Sequence, residues 1–283
     1  METSTPSVPC LSQALRNPGA PCPAHASMAE LLHMFGGEIT DLAAGAHIPV
    51  LLRRVRAGQS LVHEGADADA VFFVRSGTFK VFRTDEDGYE QVLALAMRGE
   101  VLGFDALCMA FHPTAMQALE DSNVYVIPRR EIAQISQVLP SFALVLQQAG
   151  SLTLTRSRDL VDIMAAVASD VRLARFLTHL SRRMQACGQS PRRLLLRMGR
   201  REIASLLGLA HETVSRCFSA LAAMGLLHVN DREVEILDMD GLKAFSRSTR
   251  RPVEDAALTR KQRQPIAARA TTGRHTASRA LAA

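Results

Sequence analysis

The stretch from Gly199 to Arg216 reads as two short helices joined by a glycine turn, and few folds accommodate that arrangement. A helix advances about 100° per residue. In the second helix Val214, Phe218 and Leu221 therefore share one face, and Glu212, Ser215, Arg216 and Ser219 share the other. A polar face is ordinary for an isolated surface helix, so the partner helix carries the weight. It offers Ile203, Ala204 and Leu207 for burial, small Ala204 lets the second helix cross closely, and Gly208 supplies the tight connection of a helix-turn-helix. Downstream, Leu226–Val229 and Val234–Leu237 are β-rich runs separated by the turn-like Asn230-Asp231-Arg232-Glu233. Upstream, Arg192–Arg197 offers a third strand, and Asp170–Cys187 reads as an amphipathic helix with Val171, Ala174, Leu177 and Leu180 on its apolar face. Residues 169–246 thus form a winged helix whose polar helix face is suited to double-stranded DNA.

The chain has 283 residues, 47% of them hydrophobic, enough for two domains with separate cores. It contains no run of about eighteen apolar residues and no charged-then-apolar amino-terminal signal, so a soluble cytoplasmic protein that does not enter a membrane is expected. The net charge of +5 is unevenly placed: residues 247–283 hold nine Arg and Lys against Glu254 and Asp255, leaving −2 for residues 1–246. That segment lacks apolar periodicity and reads as a basic disordered tail, either a source of sequence-independent phosphate attraction or a solvated extension. Residues 1–27 read as a flexible amino-terminal segment.

Between Ala46 and Pro128, glycines separate β-rich runs such as Val71–Val74, Thr78–Phe82 and Gln91–Leu95, which suggests a sandwich or barrel. Asp85-Glu86-Asp87-Gly88 marks a hairpin turn. A sensor domain over residues 28–140 with a leading helix is expected, followed by a long helix over residues 141–168. Along that helix Leu146, Gly150, Leu154, Ser157, Val161, Met164 and Ala168 recur at spacings close to a coiled-coil seam. The seam predicts a homodimer; the alternative is that the helix packs only on its own domain. Ser157 sits centrally, flanked by Arg156 and Arg158, and a serine is far cheaper to bury at a dimer axis than a carboxylate, so the dimer is expected to persist in air.

With a β-roll (jelly roll) of the cyclic-nucleotide-binding type, a long helix and a winged helix in this order, the α+β chain resembles the CRP/FNR superfamily of bacterial transcription regulators over roughly residues 40–245. It looks most like the FNR branch, through Gly99-Glu100-Val101-Leu102-Gly103-Phe104-Asp105-Ala106, His112-Pro113, Gln117-Ala118-Leu119-Glu120 and Glu212-x-x-Ser215-Arg216. The resemblance implies that Arg216 bonds to a guanine, Glu212 accepts from a cytosine and Ser215 touches a neighbouring base, while Arg200 and Thr213 contact phosphates. It implies an inverted repeat of the form TTGAT, four bases, ATCAA, with RNA polymerase as a further partner and activation as the output. His211 stands where the cyclic-AMP branch has an arginine. That branch holds its ligand with a Gly-Glu and an Arg-Ser pair, where this chain has Gly103-Phe104 and Pro113-Thr114. A phenylalanine cannot accept from a ribose hydroxyl and a proline cannot neutralise a phosphate, so cyclic AMP is not the expected ligand.

FNR proper senses oxygen through an iron-sulfur cluster on four cysteines. The five cysteines here depart from that pattern: Cys10 and Cys22 have eleven residues between them in a Pro-rich segment, Tyr125 stands where the fourth ligand falls, and Cys108 lies about seventeen residues earlier. Cys10, Cys22 and Cys108 remain candidate cluster ligands. Cys217 follows the base-reading arginine and is either a redox switch or, by its helical angle, a small core residue. Cys187 has no evident partner, and disulfides are not expected in a reducing compartment. His25, His33, His47 and His63 lack a metal-ligand spacing. No nucleophile-base spacing, phosphate loop or metal signature appears, so an enzyme is not expected. The expected input is oxygen, redox state or nitrogen oxides, or else control by abundance; the alternative is an unidentified small-molecule effector in the β-roll.

Overall fold

The computed structural model describes residues 25–36 and 43–248. Two antiparallel sheets form the β-roll. One has the order β1 (His25–Ser27), β2 (Pro49–Val55), β9 (Ser122–Pro128), β4 (Ala70–Ser76) and β7 (Val101–Leu102). The other has the order β3 (Ser60–Val62), β8 (Ala115–Ala118), β5 (Thr78–Thr84) and β6 (Glu90–Met97). Phe72, Val74, Phe79, Met116 and Val124 fill the space between the sheets. The run Val71–Val74 is buried on both faces because alternate residues serve two cores: Phe72 and Val74 point between the sheets, while Val71 and Phe73 meet the helices. Those helices are α1 (Met28–Met34), α2 (Ile132–Val138) and the first turns of α3 (Pro140–Met164), packed through Leu31, Leu32, Ile135, Phe142 and Val145.

Two expected boundaries shift. His25–Ser27 is not part of a flexible segment, because it pairs antiparallel with Leu51–Pro49 and Ser27 caps α1 through the Glu30 amide. The long helix stops at Met164 rather than Ala168. There Arg172 reaches back from α4 (Ser169–Ala186) and donates to the Ala166 carbonyl at 3.0 Å, so residues 165–168 form a fixed corner. The remaining expected calls on residues 1–24 and 249–283, Cys10 and Cys22 among them, lie outside the described residues.

Beyond the corner come β10 (Arg193–Leu195), α5 (Arg200–Leu207), α6 (His211–Ala223), β11 (Leu227–Asn230), β12 (Glu233–Ile236) and α7 (Met239–Arg247). The wing strands lie in the order β10-β12-β11. Leu173, Leu177, Ile203, Leu207, Val214, Phe218 and Leu221 build the core, which does not close on itself: Phe82, Val92, Leu95, Met97 and Ala115 of the β-roll belong to the same apolar cluster. Charged groups surround this junction. Buried Arg183 of α4 bonds to both Glu100 carboxylate oxygens at 2.9 Å, and Arg156 of α3 reaches the same carboxylate at 3.3 Å.

His179 of α4 lies 3.6 Å from Asp159 of α3. Burial nevertheless holds its imidazole down to about 4, with Asp159 pulling it up and Arg183, Arg156 and Arg182 pushing it further down. The folded chain therefore keeps His179 neutral where the unfolded chain takes up a proton, and stability is lost as pH falls from about 6.5 to about 4. The loss from this group is on the order of 3 kcal/mol. Thermal unfolding across that window is expected to fall less steeply in His179→Gln; an unchanged slope would show that the group does not contribute.

Candidate nucleic-acid interface

The second helix of the motif divides as its sequence angles require. Val214, Cys217, Phe218 and Leu221 are buried, and Glu212, Ser215, Arg216 and Ser219 are exposed. The turn before it depends on Gly208, which closes α5 in the left-handed region at φ +61°, a conformation that costs a side-chain-bearing residue about 1–2 kcal/mol. Arg172 Nη1 donates to the Leu207 carbonyl at 2.8 Å, a cation placed at the negative end of α5. The same guanidinium thus ties the motif's turn to the corner after α3.

On the exposed face His211 Nδ1 lies 3.0 Å from Glu212 Oε1, and Arg216 Nη2 donates to Thr213 Oγ1 at 3.4 Å. Ser215 Oγ donates to the His211 carbonyl at 3.3 Å. Glu212 and Arg216 thus stand on one surface as an acceptor-only and a donor-only group, the pair needed to distinguish cytosine N4 from guanine O6 and N7. Arg200 is placed differently from a freely extended side chain. Its guanidinium lies 3.6 Å over the Phe218 ring and donates to the Asp231 carbonyl at 3.0 Å, joining α5 to the wing turn.

Similarity to known proteins bears on this interface. A model described as a cyclic nucleotide-binding domain matches residues 52–138, and a Crp-like helix-turn-helix domain matches residues 171–245. The transcriptional regulatory protein btr of Bordetella pertussis is 40% identical over 190 residues, 67% of this chain and 78% of that protein. The chain belongs to the CRP/FNR family of transcription regulators. A second relative within this family, the fumarate and nitrate reduction regulatory protein of Escherichia coli, is 32% identical over 196 residues, 69% of this chain and 78% of its own. The structure of FixK2 from Bradyrhizobium japonicum shares the fold with a TM-score of 0.63 at 24% identity, covering 70% of this chain and 98% of that one. As a CRP/FNR regulator the chain binds DNA through its helix-turn-helix and is not an enzyme. Among the described residues no helix is long and apolar enough to cross a membrane.

The other sequence-derived candidates are scattered. Along α3, Leu154, Val161 and Met164 are exposed at 61, 69 and 42%, whereas Leu146 packs on the β-roll core. Gly150 is committed to its own domain as well, since a Cβ there would stand 2.9 Å from the Phe104 ring. Ser157 is exposed and donates to the Thr153 carbonyl at 3.1 Å. Cys108 is exposed on a short turn, Cys187 caps α4 near the Arg98 carbonyl, and Cys217 lies in the motif's core. Tyr125 is buried with its ring under Arg75. Among the described residues no group of three or more His, Cys, Asp or Glu could hold a metal ion, and Cys10 and Cys22 lie outside them.

Ser205 and Lys80 join the motif to the β-roll without standing among the sequence-derived candidates. Ser205 was legible as the polar residue inside the buried run Ile203–Leu207; Lys80 in a β-rich run gave no signal.

With Cys217 only 3% exposed behind the reading face, peroxide has little access to its sulfur. Wild type and Cys217→Ser are expected to lose equal fractions of DNA binding on peroxide treatment. Protection by the serine would return Cys217 to the role of a switch.

Proposed function

We propose that this regulator acts as a homodimer reading an inverted repeat of the form TTGAT, four bases, ATCAA, in a response to oxygen, redox state or nitrogen oxides. The observation that carries the reading is the joint exposure of Glu212, Ser215 and Arg216 on one face of α6. Arg216 bonds in bidentate fashion to guanine and Glu212 accepts from cytosine, each good pair contributing about 1–3 kcal/mol of discrimination. Ser215 contacts a neighbouring base. Thr213 and Arg200 contact phosphates, which orient the motif without carrying sequence information. For Arg200 this requires the guanidinium to reach the backbone from beside the wing turn.

Support for the dimer comes from the apolar stripe of Leu154, Val161 and Met164, which an isolated chain leaves in water. Leu146, Gly150 and Ser157 complete the seam in this reading, which extends to a cytoplasmic activator that recruits RNA polymerase. A relative named for regulating fumarate and nitrate reduction supports placing this regulator in a redox response. Because the described cysteines do not assemble a cluster site, no step of the proposal runs through one.

A cavity of about 320 Å³ favours a second reading of the input, a small-molecule effector. Apolar side chains such as Leu102, Phe104, Leu152 and Phe176 dominate its walls, and Arg156 and Arg183 beside it are already engaged by Glu100. Phe104 and Pro113 argue against cyclic AMP.

Arg216→Ala is expected to weaken binding to the repeat at least fivefold at fixed salt, read by fluorescence anisotropy, with scrambled DNA bound as before. Unchanged affinity would sink the base-reading assignment. Sedimentation in air is expected to give a dimer, and a monomer would remove that part of the proposal.

A further inference from the structure

The first helix of the motif is held to the β-roll by polar bonds as well as apolar packing. β6 is the outer strand of its sheet, so its free edge presents backbone groups that no strand satisfies. Ser205 closes that edge. Its Oγ accepts from the Val92 amide at 2.8 Å and donates to the Glu90 carbonyl at 2.9 Å, while Gln91 Nε2 donates to the Ser205 carbonyl at 2.9 Å. The β5–β6 register slips between Val81 and Phe82, so the serine sits beside an irregular point of the strand pair.

An ion pair reinforces the dock. Lys80, 5% exposed, places Nζ 2.6 Å from Glu90 of β6 and 3.1 Å from Glu202 of α5. The other Glu202 oxygen accepts from the Gly199 amide at 2.8 Å and so caps α5. Burial works to lower the Lys80 ammonium, but its bonds to the two carboxylates outweigh that and hold it above its ordinary value. Only Gly208, Leu209 and Ala210 separate α5 from α6, so fixing the first helix fixes the second. The dock meets the side of the motif away from Glu212, Ser215 and Arg216, which stay exposed. It therefore orients the reading helix without covering it.

We propose that Ser205, with Gln91 and Lys80, is a positioning element that sets the spacer length accepted between the two half-sites. The inference rests on the dimeric reading above. Each base pair added to a spacer turns the second half-site by about 35° and moves it by about 3.4 Å along the DNA axis. Two reading helices fixed to their β-rolls cannot follow that change; two loosely tethered ones can. Side-chain contacts to bases are untouched, so half-site preference and spacer preference separate.

The test measures full-length protein on inverted repeats with spacers of three, four and five bases, alongside repeats with a substituted guanine. Wild type is expected to favour the four-base spacer at least tenfold. Ser205→Ala is expected to cut that ratio at least threefold while leaving the half-site preference within twofold of wild type. Gln91→Ala, at a half-buried position, gives a smaller change in the same direction and serves where Ser205→Ala does not fold. Ile236→Val lowers stability within the wing and is expected to keep the wild-type ratio. A selective wild type whose ratio survives in the folded dock variants overturns the inference, as does a wild type that binds all three spacers equally. A wild type that binds none of the repeats overturns the proposed target sequence, and a monomer in sedimentation overturns the dimeric reading on which the inference rests.

Discussion

The apolar cluster shared by the β5–β6 hairpin and the winged helix is the contact on which the rest of the arrangement depends. Phe82, Val92, Leu95 and Met97 would face water if the winged helix moved away, and so would parts of Phe176, Leu180, Ile203 and Leu206. Burial of each large apolar side chain contributes about 1.5–3 kcal/mol, so separation of the two modules exposes a substantial driving force for their return. The polar groups around this cluster add direction rather than net stability. Taking Arg183 and Glu100 out of water is costly, and the pair offsets the cost only with both partners in place. Apolar burial brings the modules together, and the paired groups select one relative orientation.

That division explains what the sequence alone conveyed. Periodicity exposes a helix whose two faces meet different environments, so the split of α6 into Val214, Phe218 and Leu221 against Glu212, Ser215 and Arg216 was readable in advance. Gly208 was readable for a different reason, since a left-handed turn leaves a residue-type signature. Contacts between modules leave no such trace. Lys80 in a β-rich run looks like an ordinary solvent-facing lysine until Glu202, 122 positions later, arrives beside it. The end of α3 was misplaced because Ala165, Ala166 and Ala168 suit a helix, whereas Arg172 draws the chain into a corner through a carbonyl. Long-range polar bonds overrode local propensity at that point.

The seam on α3 shows the same competition within one helix. A heptad-like pattern marks residues that are apolar or small, without distinguishing a partner helix from the parent domain. Leu146 and Gly150 satisfy the pattern by packing inward, Gly150 because the Phe104 ring occupies the space of its missing side chain. Leu154 and Val161, further along, have no such cover among the described residues. The stripe is therefore a core contact at one end and an open surface at the other.

Physical leverage between input and output concentrates where these elements converge. The cavity has walls from the β-roll through Leu102 and Phe104, from α3 through Leu152 and Thr153, and from α4 through Phe176 and His179. Close-packed walls do not deform smoothly, so a change in volume or polarity there acts on three elements together. One of them, α4, carries Arg172 to the turn before the reading helix, and Arg175 bonds both the Asp162 carbonyl of α3 and the Ser246 carbonyl of α7. Movement of α4 therefore cannot stay local: it must drag the motif's turn or break the arginine bonds that fix it.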